Sequence, residues 1–208
     1  MVLRKLMGIF AITLIVCAAS LATAGVPDVT KCSATTGHTG FAVLYNVPNG
    51  NGNDFTAAVG AGGGVDATIT VVVNDGVPAP IANYPFEDIW IESVDGGMVA
   101  CTGGSTADAS TDALGITQFQ NPLQAGGWSL SDTVVLINGN QVPGTVAIGY
   151  NSPDLDGSGA VNLTDVQLFA GDFTTPATYD FRSDLFFDAI VNLSDLPLLA
   201  ASIGAACP

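Results

Sequence analysis

The chain has 208 residues, of which 48% are hydrophobic, and its 19 acidic and four basic side chains give a formal net charge of −15. Nucleic-acid binding needs a stripe of Lys or Arg that faces phosphate, and its absence here excludes that class of function. The hydrophobic fraction is too high for a disordered acidic chain and indicates a buried core. Of the acidic residues 17 are Asp, which favours turns and metal loops and so predicts few helices.

The first 24 residues have the layout of a secretory signal peptide. Basic residues precede an uncharged, mostly apolar run at 6–21, and the small residues Ala22 and Ala24 offer a cleavage site before Gly25. The run is shorter than the roughly 20 apolar residues of a membrane-spanning helix, which argues against a membrane anchor. We therefore expect a secreted or cell-surface protein. Its remaining two basic and 19 acidic side chains give a net charge of −17.

From residue 25 to 150, short apolar or alternating segments are separated by clusters of Gly, Asn, Asp and Pro. The candidate strands are residues 41–45, 67–73, 88–92, 98–101, 115–119, 133–137 and 145–150. About seven such strands with almost no helical periodicity predict an antiparallel β-sandwich. Asn138-Gly139 and residues 74–76 are turn signals, because Asn, Asp and Gly tolerate the backbone of a tight turn.

Two motifs in this segment resemble bacterial immunoglobulin-like domains of the invasin and intimin type. They are TITVVVNDGVPAP at residues 68–80 and TDALGIT at residues 111–117. The resemblance implies an Ig-like sandwich for residues 25–150. It implies nothing specific about function, because sandwiches of this kind carry many roles.

Three cysteines remain after residue 24, and export would place them where disulfides persist. We predict a bond between Cys32 and Cys101, with Cys207 as the odd thiol and a Cys32–Cys207 bond as the alternative. The chain has no CxxC motif, and His38 is its one histidine, so we expect no zinc site.

Catalysis is not expected from this sequence. On a strand, Asp88, Trp90 and Glu92 share one face, so the acidic residues there do not oppose each other across a cleft as in a glycosidase. His38 has no partner base, and no GxSxG motif is present. The face around Trp90 leaves a carbohydrate-binding module as the alternative function, although a partly buried tryptophan of the core is the simpler interpretation.

An internal repeat begins near residue 151. AVNLTDVQLFA at residues 160–170 recurs as IVNLSDLPLLA at residues 190–200, with six of 11 positions identical. A duplication at a fixed spacing predicts two copies of one supersecondary unit, which we place in residues 151–208.

The first copy fits a calcium-binding loop, whose oxygen ligands lie at positions 1, 3, 5, 7, 9 and 12, with glycine at position 6. Gly159 occupies position 6, and Val161 at position 8 is able to pack the two loops together. The expected calcium ligands are Asp154, Asp156, Ser158, the carbonyl of Ala160, Asn162 and Asp165.

The second copy departs from this pattern. Phe186 replaces the carboxylate at position 3, and Ala189 replaces the glycine at position 6, so we expect a weaker site. We also expect Phe186 and Phe187 to pack on the helix that follows the first loop. The remaining candidate ligands are Asp184, Asp188, the carbonyl of Ile190, Asn192 and Asp195.

A duplicated calcium loop with Asp at position 12 and a single exiting helix is similar to the dockerin type I module, over residues 151–203. The resemblance implies calcium-dependent docking onto a cohesin, a β-sandwich receptor on a scaffold or cell surface. It places partner recognition at the pairs Leu163 with Thr164 and Leu193 with Ser194. The alternative is a carbohydrate-binding or polysaccharide-degrading accessory protein with a dockerin tail.

The charge of residues 151–208 predicts that their folding depends on calcium. These 58 residues carry eight carboxylates against Arg182, and their core is small. We therefore expect the sandwich to fold without calcium and this segment to require it.

Overall fold

The computed structural model describes residues 25–174 and 180–208, so the predicted signal peptide lies outside the described residues. The chain is mainly β, with its strands before residue 152 and its two α-helices after residue 162. Within the described ranges, no helix combines the length and the apolar character that crossing a membrane requires.

The strands are β1 Ser33–Thr36, β2 Ala42–Tyr45, β3 Ala58–Gly60, β4 Gly63–Val65, β5 Ile69–Val72, β6 Ile89–Ser93, β7 Met98–Ala100, β8 Ile116–Phe119, β9 Ala125–Gly127, β10 Thr133–Ile137, β11 Asn140–Gln141 and β12 Ile148–Asn151. The helices are α1 Leu163–Thr174 and α2 Leu196–Ser202. Single 3-10 turns lie at Val29–Lys31, Phe55–Ala57, Phe86–Asp88 and Phe181–Ser183.

The strands form four small sheets, in the orders β1-β5-β8, β11-β10-β6, β12-β2-β3-β4 and β7-β9. Each predicted strand overlaps an observed one, because alternating β-branched and aliphatic residues mark strands whose one face is buried. The pairing departs from a purely antiparallel arrangement, since β12 runs parallel to β2. This pair brings the end of the β-rich unit, residues 25–150, beside its beginning.

The core of the β-rich unit lies between these sheets. Alternate residues of β6 and β10 point into it, and Ile89, Ile91, Val135 and Ile137 are buried there. The predicted turn at Asn138-Gly139 connects β10 to β11, and both residues have positive φ, of 49° and 77°. Such a two-residue turn fixes the register of the hairpin.

A second core joins the C-terminal unit, residues 151–208, to the β-rich unit. Tyr45 and Val47 contribute two side chains from the β-rich unit. The C-terminal unit contributes Leu155, Val161, Phe169, Leu185, Leu199 and Ala205. The Tyr45 hydroxyl also lies 3.1 Å from Ser202 Oγ. The C-terminal unit therefore shares its core with the β-rich unit.

Asn151, the last residue of β12, strengthens this junction. Its buried side-chain amide donates to the carbonyls of Phe181, at 2.7 Å, and Asp184, at 3.0 Å. A buried amide with two good acceptors fixes the orientation of both segments. Asn151 thus anchors the start of the second loop, at Asp184, to the end of β12.

The predicted disulfide between Cys32 and Cys101 is wrong. Cys101 bonds to Cys207, with the two Cα atoms 5.5 Å apart, whereas Cys32 is free and buried. Cys32 precedes β1, in the sheet of β5 and β8, whereas Cys101 follows β7, in the separate sheet of β9. The C-terminal tail folds back to Cys101, and disulfide geometry requires that proximity.

Candidate metal centres

The first loop brings three acidic side chains together. Oxygen atoms of Asp154, Asp156 and Asp165 lie within 4.8 Å of one another. Asp154 and Asp165 are fully buried, whereas Asp156 is exposed. These are the residues at positions 1, 3 and 12 of the predicted loop. Buried carboxylates at this separation call for a counter-charge.

Backbone amides fix the two buried carboxylates. The carboxylate of Asp154 accepts from Ser158 N at 3.0 Å and from Gly159 N at 2.8 Å. The carboxylate of Asp165 accepts from Asn162 N at 2.8 Å. The chain reverses sharply at this point, because Gly159 adopts a φ of 84°. These amide contacts thus fix the positions of the acidic oxygens.

The carboxyl groups of the first loop differ in pKa. Burial raises the pKa of Asp154 to about 6, and the nearby charge of Asp165 acts in the same direction. At Asp156 burial also raises the pKa, but hydrogen bonds from Ser158 outweigh it and leave the pKa below its usual value. A nearby cation would favour the ionised form of each.

The remaining predicted ligands of the first loop are adjacent to each other. Ser158 Oγ and Asn162 Nδ2 both donate to the carbonyl of Ala160, at 3.2 and 3.0 Å. The donor atoms available are carboxylate, hydroxyl, amide and carbonyl oxygens. Such a set suits a hard cation such as Ca²⁺ and is unsuited to zinc.

The second loop repeats the hydrogen bonds of the first. The carboxylate of Asp184 accepts from Asp188 N at 3.1 Å and from Ala189 N at 2.9 Å. Asp195 accepts from Asn192 N and Phe186 N, both at 2.8 Å. The two loops therefore have the same backbone arrangement despite their different residues.

Two residues of the second loop occupy a left-handed backbone conformation. Ala189 has a φ of 66° at the position of Gly159, as its place in the turn predicts. Phe187 has a φ of 60° at the position of Gly157, whose φ is 66°. This second left-handed position was not predicted from the sequence, although the glycine at position 4 of the first loop was its signal. Left-handed non-glycine residues cost on the order of 1 kcal/mol each.

Burial also raises the pKa of Asp195 in the second loop, and the charge of Asp184 adds to this effect. Hydrogen bonds from Asn192 and Phe186 oppose the rise without cancelling it. A buried, electrostatically costly carboxylate therefore remains even in the loop that lacks the acidic side chain at position 3.

The two phenylalanines of the second loop behave differently. Phe186 is 58% exposed, so the expectation that it packs on the first helix is wrong. Phe187 is partly buried against the second core and stacks on Phe181, with ring centroids 6.4 Å apart. This packing compensates for the strained backbone of Phe187.

The β-rich unit contributes to the first loop through β9. Gly127 N donates to the carbonyl of Asp154 at 2.8 Å. Gly126 lies against the Asp154 carboxylate, where a Cβ atom has no room. Nothing in the local sequence of β9 signals this contact, because it depends on how the two units pack.

The four residues predicted to contact a partner are on the surface. Leu163 is 75% exposed and Leu193 is 69% exposed, and Thr164 and Ser194 beside them are also exposed. Each pair lies at or just before the start of a helix. Both leucines are therefore accessible at the surface.

The predicted face around Trp90 has the expected orientation. Ile89 and Ile91 are buried, and Glu92 on the other face is exposed. Trp90 is half-buried, and its indole nitrogen donates to Glu92 Oε1 at 2.8 Å. The indole is thus fixed along the strand by its acidic neighbour.

Comparison with known proteins does not identify a family for this chain. No protein-family model matches the chain, and no curated protein does. Among solved structures, a crystal structure of the Lin-41 filamin domain is similar at 16% identity, over 59% of this chain and 95% of that chain. The TM-score is 0.29, which is too low to support an inference about fold or function.

Proposed function

We propose that this chain is a secreted, non-catalytic protein in which a calcium-binding, dockerin-like module follows an Ig-like β-sandwich. The observation that carries the proposal is the buried pair Asp154 and Asp165 beside Asp156. The basic side chains of residues 25–208 are Lys31 and Arg182, and the Arg182 guanidinium is bound to Asp172 at 2.8 Å. We therefore assign the counter-charge of the loop to a bound cation.

Calcium at the first loop would be held by the six predicted oxygen ligands from Asp154 to Asp165. The charge of the ion would offset the repulsion among the carboxylates. Coordination by Asp165 would link the loop to the start of α1. The second loop offers Asp184, Asp188 and Asp195, with the Ile190 carbonyl and Asn192, as a weaker site. The all-oxygen donor set supports Ca²⁺ over softer metals.

Docking onto a protein partner is the role we assign to the exposed pairs Leu163–Thr164 and Leu193–Ser194. Calcium would fix the first turn of each helix and so present these side chains in a defined geometry. The resemblance of residues 151–203 to a dockerin implies that this partner is a β-sandwich receptor of the cohesin type. The Cys101–Cys207 disulfide supports an extracellular location, since such bonds persist in oxidising compartments.

The experiment is binding of the full chain to purified cohesin domains, with calcium and with a chelator. We expect binding that needs calcium and is lost in the double variant Leu163→Asp, Leu193→Asp. Leu114→Asp is the matched control, because Leu114 is an exposed leucine of the β-rich unit. Binding that survives the chelator, or that Leu114→Asp abolishes equally, would count against docking.

A carbohydrate-binding role is tested in the same series with insoluble polysaccharides. Retention on a polysaccharide that Trp90→Ala removes and the chelator does not would favour that alternative.

A further inference from the structure

The C-terminal tail pairs with the first loop. Cys207 N donates to the carbonyl of Gly159 at 2.8 Å, and Val161 N donates to that of Ala205 at 2.8 Å. Gly204 N donates to the carbonyl of Val161 at 2.9 Å. These bonds bracket Ala160, whose carbonyl is the predicted ligand at position 7. The backbone of Val161 therefore pairs with the tail.

The disulfide links the tail covalently to the strand pair that contacts the other end of the loop. Cys207 is bonded to Cys101, which directly follows β7, and β7 pairs with β9. Strand β9 in turn contacts the other end of the loop through Gly127 and Asp154. The first loop is thus held between the tail and β9. Among the described residues, the second loop has no disulfide-linked segment against it.

We propose that the Cys101–Cys207 disulfide controls cation affinity at the first loop, so that reduction weakens calcium binding there and leaves the second loop unaffected. This inference rests on the proposed calcium binding. With the bond broken, the tail keeps its backbone bonds and the buried Ala205 but loses its covalent link to the end of β7, so it holds the first loop less firmly. The cation must then order a looser loop, which lowers its affinity.

The reduction balances with a dithiol as the reductant. A thiolate attacks Sγ of Cys207, the less buried of the two cysteines, and the S–S bond breaks with release of the Cys101 thiolate. The second thiolate of the reductant then displaces Cys207 and closes a cyclic disulfide. Two electrons pass to the protein, and two protons convert both cysteines to thiols.

Linkage makes the effect reciprocal, so bound calcium must favour the oxidised form by the same factor. Coupling between sites is typically 5-fold to 150-fold, and we expect about tenfold here. Calcium should therefore also shift the redox equilibrium with a dithiol toward the disulfide.

The test is calorimetric titration of the full chain with calcium chloride, oxidised and after treatment with dithiothreitol. In an Asp184→Asn background, which isolates the first loop, we expect about tenfold weaker binding after reduction. In an Asp154→Asn background the residual binding should not change. Cys32→Ser is the matched control, because it removes the free thiol and keeps the disulfide.

The outcomes separate the two proposals. An oxidised chain that takes up no calcium overturns the proposed function, whereas equal affinity in both redox states overturns the linkage alone. The double variant Cys101→Ser, Cys207→Ser should reproduce the reduced chain. If that variant does not fold, the redox equilibrium with dithiothreitol still decides: calcium should raise the ratio of disulfide to dithiol about tenfold, Asp154→Asn should remove that rise, and an unchanged ratio contradicts the linkage.

Discussion

The two loops of the C-terminal unit share one backbone arrangement and differ in the residues that a metal needs. Equivalent amides hold Asp154 and Asp184 at the first position and Asp165 and Asp195 at the last. The second loop lacks a carboxylate at position 3, where Phe186 lies exposed. These amide contacts therefore specify the shape of each loop, whereas positions 3, 4 and 6 set its capacity for a cation and its backbone strain.

Removal of calcium should loosen the C-terminal unit and leave the β-rich unit intact. A ligand at 100 times its Kd stabilises the form that binds it by about 2.7 kcal/mol, or roughly 100-fold in amide protection. Hydrogen exchange with and without a chelator should show this loss in α1. Protection in β10 should not change, and an equal loss there would contradict the prediction.

Gly126→Ala should weaken calcium binding at the first loop without removing any ligand. Its Cβ would collide with the Asp154 carboxylate, and overpacking of this kind costs about 2 kcal/mol, or roughly 30-fold in calcium affinity. Gly62→Ala is the matched control, because the space around Gly62 is open. Calcium titration distinguishes the two, and equal affinities would show that β9 does not position the loop.

Exchanging residues at position 6 should move strain between the loops. Ala189→Gly relieves a left-handed alanine and should stabilise the protein by about 1 kcal/mol, measured by thermal unfolding in the presence of a chelator. Gly159→Ala should destabilise it by about as much, and its Cβ would also crowd the sulfur of Cys207. Changes of the same sign in both variants would contradict this account.

The sequence was informative where the pattern is local. Strands such as β5 and β10 were predictable because their buried residues alternate, and the repeat located both loops. Strand β9, Ala125–Gly127, was missed because a glycine-rich segment has no such alternation.

Residue patterns could not predict the contacts between residues that lie far apart in the sequence. The Cys101–Cys207 bond spans 106 residues, and it depends on the shared core around Tyr45, which brings the tail onto the β-rich unit. The contact of Gly126 with Asp154 depends on the same packing. Each required knowledge of which surfaces meet.

Calcium titration of Asp154→Ala and Asp184→Ala in the full chain tests the central claim most directly. The first loop should bind at least about tenfold more tightly than the second, a difference of roughly 1.4 kcal/mol. Asp154→Ala should then abolish the tight phase of binding, and Asp184→Ala should leave it nearly unchanged. Equal losses from the two substitutions would contradict the account.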